Sequence, residues 1–148
     1  MSKILQTVLA FAITASTAMM PTGAFANSSR AEAEFNDIRK QVGLQPVRYN
    51  ATLAKAAKTQ ADFLASKQVL SHTLGGSLRS RVQSAGFRGV VGENLARGQR
   101  NVSKAIIDWM HSPGHRANIL NNVYGCYGMG DARDAKGKPY WVVIFGRC

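Results

Sequence analysis

Trp109-Met110-His111-Ser112-Pro113-Gly114-His115-Arg116-Ala117-Asn118-Ile119-Leu120 reads as a helix that stops and at once restarts. Ser112 followed by Pro113 fits an N-cap with proline at the first helical position, where its missing N–H costs nothing. One helix therefore ends near Met110, and a short one carries His115. Of the chain's three histidines, two lie in this stretch, with one of its two tryptophans. The third histidine, His72, lies in the polar loop Ser71-His72-Thr73, and a lone acid, Glu93, lies in Gly92-Glu93-Asn94-Leu95. These segments are expected to meet in one cleft.

Working outward, Asn101-Val102-Ser103 opens the helix that brings Ala105, Ile106 and Trp109 to the core. Before it, Phe87 to Gly98 is glycine-punctuated, with a weak strand signal around Glu93. Ser77 caps a helix through Ala85, with Leu78 and Val82 inward, and Gly86 closes it. Asn50 is the N-cap of a longer helix, Ala51 to Lys67. There Leu53, Ala56, Ala57, Ala61 and Leu64 form a small-residue face suited to close packing. Val69-Leu70 is expected to stay buried as the chain leaves that helix. The first helix is predicted over Arg30 to Val42, with Phe35, Ile38 and Val42 on one stripe; Gly43 ends it, and Gln45-Pro46 starts an extended piece through Val47 and Tyr49.

Downstream, Tyr124 to Asp131 and Pro139 to Gly146 flank Asp134-Ala135-Lys136-Gly137-Lys138, the pattern of a hairpin. Tyr140 to Phe145 is aromatic and β-branched without polar alternation, so this strand is expected to be buried on both faces. Pairing centred on Gly137 sets Cys126 opposite Cys148, within bonding reach. An exported chain with an even cysteine count is expected to oxidise, and closing such a loop is worth roughly 3 kcal/mol in the chain-entropy treatment. The alternative is a reduced pair or a metal site.

Met1–Ala26 has the layout of a secretory signal: Lys3, an interrupted apolar run from Ile4 to Met20, then Pro21, Gly23 and the small-x-small pattern Ala24-Phe25-Ala26. A transmembrane anchor needs about 20 strongly apolar residues, and this run is short and diluted. Residues 27–148 then form a single domain, expected to be a monomer without a transmembrane segment, in the bacterial periplasm or outside the cell. Without Lys3 the chain keeps 18 basic and 8 acidic residues, a net charge of +10. Such a surface draws acidic lipid or an anionic cell-wall polymer, while export argues against nucleic acid as a partner. The plainer account is a solvated surface that keeps the chain soluble.

Gly92-Glu93-Asn94-Leu95, Trp109-Met110, Ser112 to Leu120 and the terminal Tyr140-Trp141-Val142 together resemble the CAP superfamily. That group includes cysteine-rich secretory proteins, antigen 5 and plant pathogenesis-related class 1 proteins, and the form seen here is similar to its bacterial, SCP-like branch. The resemblance runs from about Ala31 to Cys148. It implies an α+β fold, an α/β/α sandwich with a three-stranded antiparallel sheet between helical layers. It further implies a cleft in which His72, His115 and Glu93 hold Zn²⁺ or another divalent cation. The second acid of the eukaryotic forms, three residues after the helix tryptophan, is replaced here by Ser112. A lipid-like ligand is also implied, since family members bind sterols and fatty acids.

Two imidazoles and a carboxylate suit a divalent ion with an open position for water; each ring needs an acceptor to fix its tautomer, for which Asp108 and Asn94 are near in the chain. Pro113-Gly114 break the helix between His111 and His115, so they are not an i, i+4 metal pair, and His111 is expected at the cleft rim. A serine route would need Ser71 or Ser112 beside an oriented histidine, yet a serine that caps a helix has its oxygen engaged. Trp109 and Trp141 are expected in the core, and Arg116 in a fixed contact with a carboxylate or carbonyl. The reading is an exported envelope-binding module rather than an enzyme. The alternative is a metal-dependent hydrolase or protease working in the same cleft.

Overall fold

Strand β4 (Pro139–Gly146) is buried along its whole length, and the rest of the chain is arranged on its two faces. The structure is a computed structural model that describes residues 22–148. Residues 1–21 of the expected leader lie outside the described residues. The helices are α1 (Thr22–Gln41), α2 (Ala51–Lys67), α3 (Leu78–Ala85), α4 (Val102–His111) and α5 (Pro113–Ile119); the remaining strands are β1 (Arg48–Tyr49), β2 (Val91–Arg97) and β3 (Cys126–Arg133). None of the described helices is long and apolar enough to cross a membrane.

Trp141, Val143 and Phe145 face α1, α4 and α5, where Ala31, Phe35, Ile106, Trp109 and Ile119 complete one core. Tyr140, Val142 and Ile144 face α2 and α3, with Leu53, Ala57, Ala61, Leu64 and Val82 in the other. Period-two alternation on a strand covered on both sides gives the α/β/α sandwich that the resemblance implies. The sheet has four strands rather than three, in the order β1-β3-β4-β2, and the extra pairing, β1 with β3, is parallel. Arg48–Tyr49 is too short for alternation to announce it. Its place comes from two backbone bonds, Arg48 N to Gly125 O at 3.1 Å and Asn50 N to Tyr127 O at 2.8 Å.

The small-residue face of α2 meets an equally bare stretch of β3. A Cβ on Gly128 would lie 2.0 Å from Ala54 N, and one on Gly130 would lie 2.3 Å from Lys58 N. Glycine is required there because helix backbone lies directly on strand backbone.

The caps of α2, α3 and α4 form as the sequence indicates: Asn50 accepts from Leu53 N, Ser77 from Ser80 N, and Asn101 from Lys104 N. Ser112 is the N-cap residue of α5 but makes no side-chain capping bond. The first helix begins earlier than predicted and ends before Val42, which is 56% exposed, beyond the buried stripe. Val69 and Leu70 are also exposed rather than buried, because Gln68 takes a left-handed conformation (φ 54°) that turns the chain outward at the end of α2.

Cys126 and Cys148 form a disulfide with Cα atoms 5.8 Å apart. The ladder register pairs Cys126 with Gly146 rather than with Cys148, so the bond reaches from β3 to the tail beyond β4.

Candidate functional site

Glu93 pairs across the sheet with Ile144, and cross-strand partners share a face, so its side chain points toward α3. There it meets Arg81 in a bidentate pair: Nη1 to Oε2 at 2.7 Å and Nη2 to Oε1 at 3.0 Å. The Glu93 side chain is 1% exposed and that of Arg81 is 7%. Imidazole Nδ1 of His72 also contacts Glu93 Oε1, at 2.8 Å, while the ring remains 56% exposed. Arg81 holds the loop as well, donating to His72 O and Gly76 O. Gln60 donates to Ser71 O, and Ser71 Oγ accepts from the backbone of Thr73 and Leu74. The loop that carries His72 is thus tied down at both ends.

Arg81 is the residue that sequence reasoning missed. A signal existed: it lies three residues after Leu78, on the same helical face. Being charged, it passes for a solvated side chain until an acid is placed opposite it.

Segment 92–95 uses each residue differently. At Gly92 a Cβ would lie 2.5 Å from the Tyr124 hydroxyl and 2.6 Å from Asn118 Oδ1, so only glycine lets α5 close. Asn94, fully buried, donates to His115 O at 3.0 Å and accepts from Asn118 Nδ2 at 2.8 Å. Asn118 also donates to Glu93 O, and Trp109 Nε1 donates to Leu95 O. Side chains of α4 and α5 therefore cover the outer edge of β2, where backbone carbonyls would otherwise be open to pairing.

His115 is half-buried at the start of α5. Burial, and secondarily the charge of His72, hold its pKa below the usual histidine value. His72 and Glu93 are in direct contact, whereas no side-chain hydrogen bond joins His115 to either of them among the described residues. Asn94 touches the backbone of His115 rather than its ring. Asp108 is engaged elsewhere: hydrogen bonds from Lys104 and then Gln99 keep its carboxyl below the usual range. Trp109 and Trp141 are buried, as expected. Arg116 is exposed and makes no side-chain hydrogen bond among the described residues. His111 lies outside the cleft, in a groove of about 300 Å³ between α1 and α4 lined by Ile38, Ile106, Ile107 and Met110.

The donor set does not fit a three-ligand metal centre. Arg81 takes both Glu93 oxygens, placing a guanidinium where a cation would have to bind, and a second cation beside it would be repelled. Among the described residues no group of three or more His, Cys, Asp and Glu is gathered to hold a metal ion. At the position of the second acid, Ser112 offers a hydroxyl and no charge.

The sequence pattern of the cysteine-rich secretory protein family, CAP, matches residues 32–145. Protein YkwD of Bacillus subtilis is 31% identical over 120 residues, covering 79% of this chain and 47% of the relative, so the chain spans about half that protein's length. Among solved structures, an outer surface protein of Borrelia burgdorferi is 25% identical with a TM-score of 0.75, over 82% of this chain and 92% of that one. An extracellular SCP-domain protein of Bacillus anthracis, 23% identical with a TM-score of 0.75 over 90% of this chain and 45% of that one, shares the fold.

Proposed function

The chain belongs to the cysteine-rich secretory protein (CAP) family, and from that premise we propose that it is an exported binding module of the bacterial envelope, not an enzyme. The observation that carries this reading is the fate of its positive charge. Among the described residues only Arg30, Lys58, Arg81 and Lys104 pair with an acid. Arg39 is buried, and apart from it and Arg81 every described Lys and Arg is exposed. A surface of unpaired cations attracts polyanions over several ångströms, so the partner is acidic lipid or anionic wall polymer. Likeness to an outer surface protein and to an extracellular one supports the location.

The cleft serves this module by recognition. With Glu93 neutralised by Arg81, it lacks the free carboxylate that a metal ligand or general base requires. His72 and His115 line a site for a polar or anionic group instead. A lipid-like ligand would lie apart from these histidines, in the groove lined by Ile38, Ile106, Ile107 and Met110 together with Glu34, Asp37 and His111.

Co-sedimentation with phosphatidylglycerol-containing vesicles, phosphatidylcholine vesicles and purified anionic wall polymer tests the reading, in rising salt and with or without Zn²⁺. Expected is salt-sensitive binding to an anionic component, unchanged by Zn²⁺. Ester or peptide hydrolysis that needs Zn²⁺ and is lost in His72→Ala/His115→Ala would overturn it in favour of the metal-dependent hydrolase.

A further inference from the structure

The unpaired cations are not spread evenly. β2 ends at Arg97, which pairs with Tyr140 at the start of β4, and Arg133 at the end of β3 pairs with Pro139. One end of the sheet therefore collects Arg97 and Arg100 from one segment, and Arg133, Lys136 and Lys138 from the hairpin. All five are exposed, and none has an acidic partner among the described residues. The backbones of Arg97 and Arg133 are separated by one intervening strand, or roughly 10 Å, and their partners Tyr140 and Pro139, consecutive on β4, set the two side chains on opposite faces of the sheet end.

Three features hold this group in place. The Arg97 guanidinium lies 5.4 Å from the centroid of the Tyr140 ring, a cation–π contact that limits its rotation. Arg133 Nη1 donates to Gly137 O at 2.9 Å. Asp134, the acid within the hairpin loop, is turned inward and 8% exposed; its Oδ1 accepts from the backbone N–H of both Lys136 and Lys138. Asp134 thus fixes the turn that displays both lysines instead of neutralising them, and Asp131, two residues before Arg133 on β3, accepts from Asn27 Nδ2. Nearby Asp108 is occupied by Lys104 and Gln99.

We propose that this hairpin end of the sheet is a docking surface for a linear phosphodiester polymer, an inference that rests on the envelope-binding reading and names its surface. Arginine's planar fork grips phosphate oxygens two at a time, and a flexible chain laid across the end of the sheet can bring successive phosphates to the arginines on its two faces. A bilayer fits less well. None of the exposed large apolar side chains (Val42, Tyr49, Phe63, Val69, Leu70, Val90, Ile107 and Val123) belongs to residues 97–100 or 133–138, whereas a bilayer-docking segment interleaves apolar side chains with its cations. Nucleic acid fits less well too, because Tyr140 and Trp141 are buried and offer no face on which bases could stack.

The test titrates the oxidised protein with synthetic poly(glycerol phosphate). Parallel titrations use polyglutamate of equal charge, an oligothymidylate and phosphatidylglycerol vesicles. Arg97→Gln/Arg133→Gln/Lys138→Gln is compared with Lys40→Gln/Arg48→Gln/Lys55→Gln, which removes the same charge elsewhere. Expected is roughly tenfold or greater weakening in the hairpin triple, with its salt slope lowered by about 2, and a change under about threefold in the control. Lys136→Gln/Lys138→Gln, whose side chains make no hydrogen bonds among the described residues, keeps the result readable if Arg133 is needed for folding. Equal losses in both triples, equal affinity for polyglutamate, or preference for the oligonucleotide or the vesicles would overturn the inference while leaving an anion-binding protein. Failure of the unaltered protein to bind any of the four probes would overturn the envelope reading itself.

Discussion

Two buried arginines, one on each side of the sheet, do opposite things with the same charge. On the α1 side Arg39 is fully buried and has no acidic partner among the described residues; its guanidinium donates to four carbonyls, those of Gln45, Ile119, Asn121 and Tyr124, at 2.8–3.0 Å. Burial alone lowers its pKa. It clamps α1 to the segment that joins α5 and β3. On the α3 side Arg81 gives its strongest contacts to Glu93 and its weaker ones to the loop that carries His72. The first side uses a cation as scaffold. On the second the same ion neutralises the acid around which a metal centre would have been built, and the chemistry of the cleft follows from that pairing.

Substituting the two arginines separates the roles. Arg39→Met should be the more damaging change. It strands several carbonyls in a packed interface and should cost about 4 kcal/mol, read as a large drop in the denaturation midpoint with an unchanged denaturant slope. No single second substitution should restore it, since its acceptors are backbone. Arg81→Met should cost about 3 kcal/mol by leaving Glu93 buried and unpaired. Here Arg81→Met/Glu93→Leu should recover to within about 1 kcal/mol of the parent. Failure of that rescue would show that Arg81 matters mainly for the loop.

The smallest expected effect belongs to His115 at the start of α5, which gives that helix a pH response absent from the Arg39 clamp. Its pKa is lowered on folding, so the unfolded chain binds its proton more readily. Its contribution to stability is therefore full above the unfolded value, about 6.5, and is lost as pH falls toward the lower folded value. Thermal midpoints measured across mildly acidic pH should decline less steeply in His115→Gln than in the parent.

Both arginines left traces in the sequence. Arg39 lies four residues after Phe35, and Arg81 three after Leu78, each on its helix's apolar stripe. Read singly they pass for solvated cations, since a burial pattern marks a face without saying what stands opposite. The histidines and Glu93 were legible as candidate site residues because their segments carry a recognisable motif. Their partners were not, because Arg81 enters from another helix. Ser112 illustrates the same limit on a smaller scale: its position before Pro113 is readable, but whether its hydroxyl bonds depends on the local path of the backbone.

Sequence by itself determined what depends on neighbours along the chain. That covers the caps at Asn50, Ser77 and Asn101, the doubly buried β4, and the hairpin whose end joins Cys126 to Cys148. Tertiary structure alone decided the parallel fourth strand, the burial of Arg39, the pairing of Arg81 with Glu93 and the gathering of five cations at one sheet end. The physical reason is range: a cap or an alternating strand is specified within a few residues, whereas a buried charge must find its counterpart across the fold.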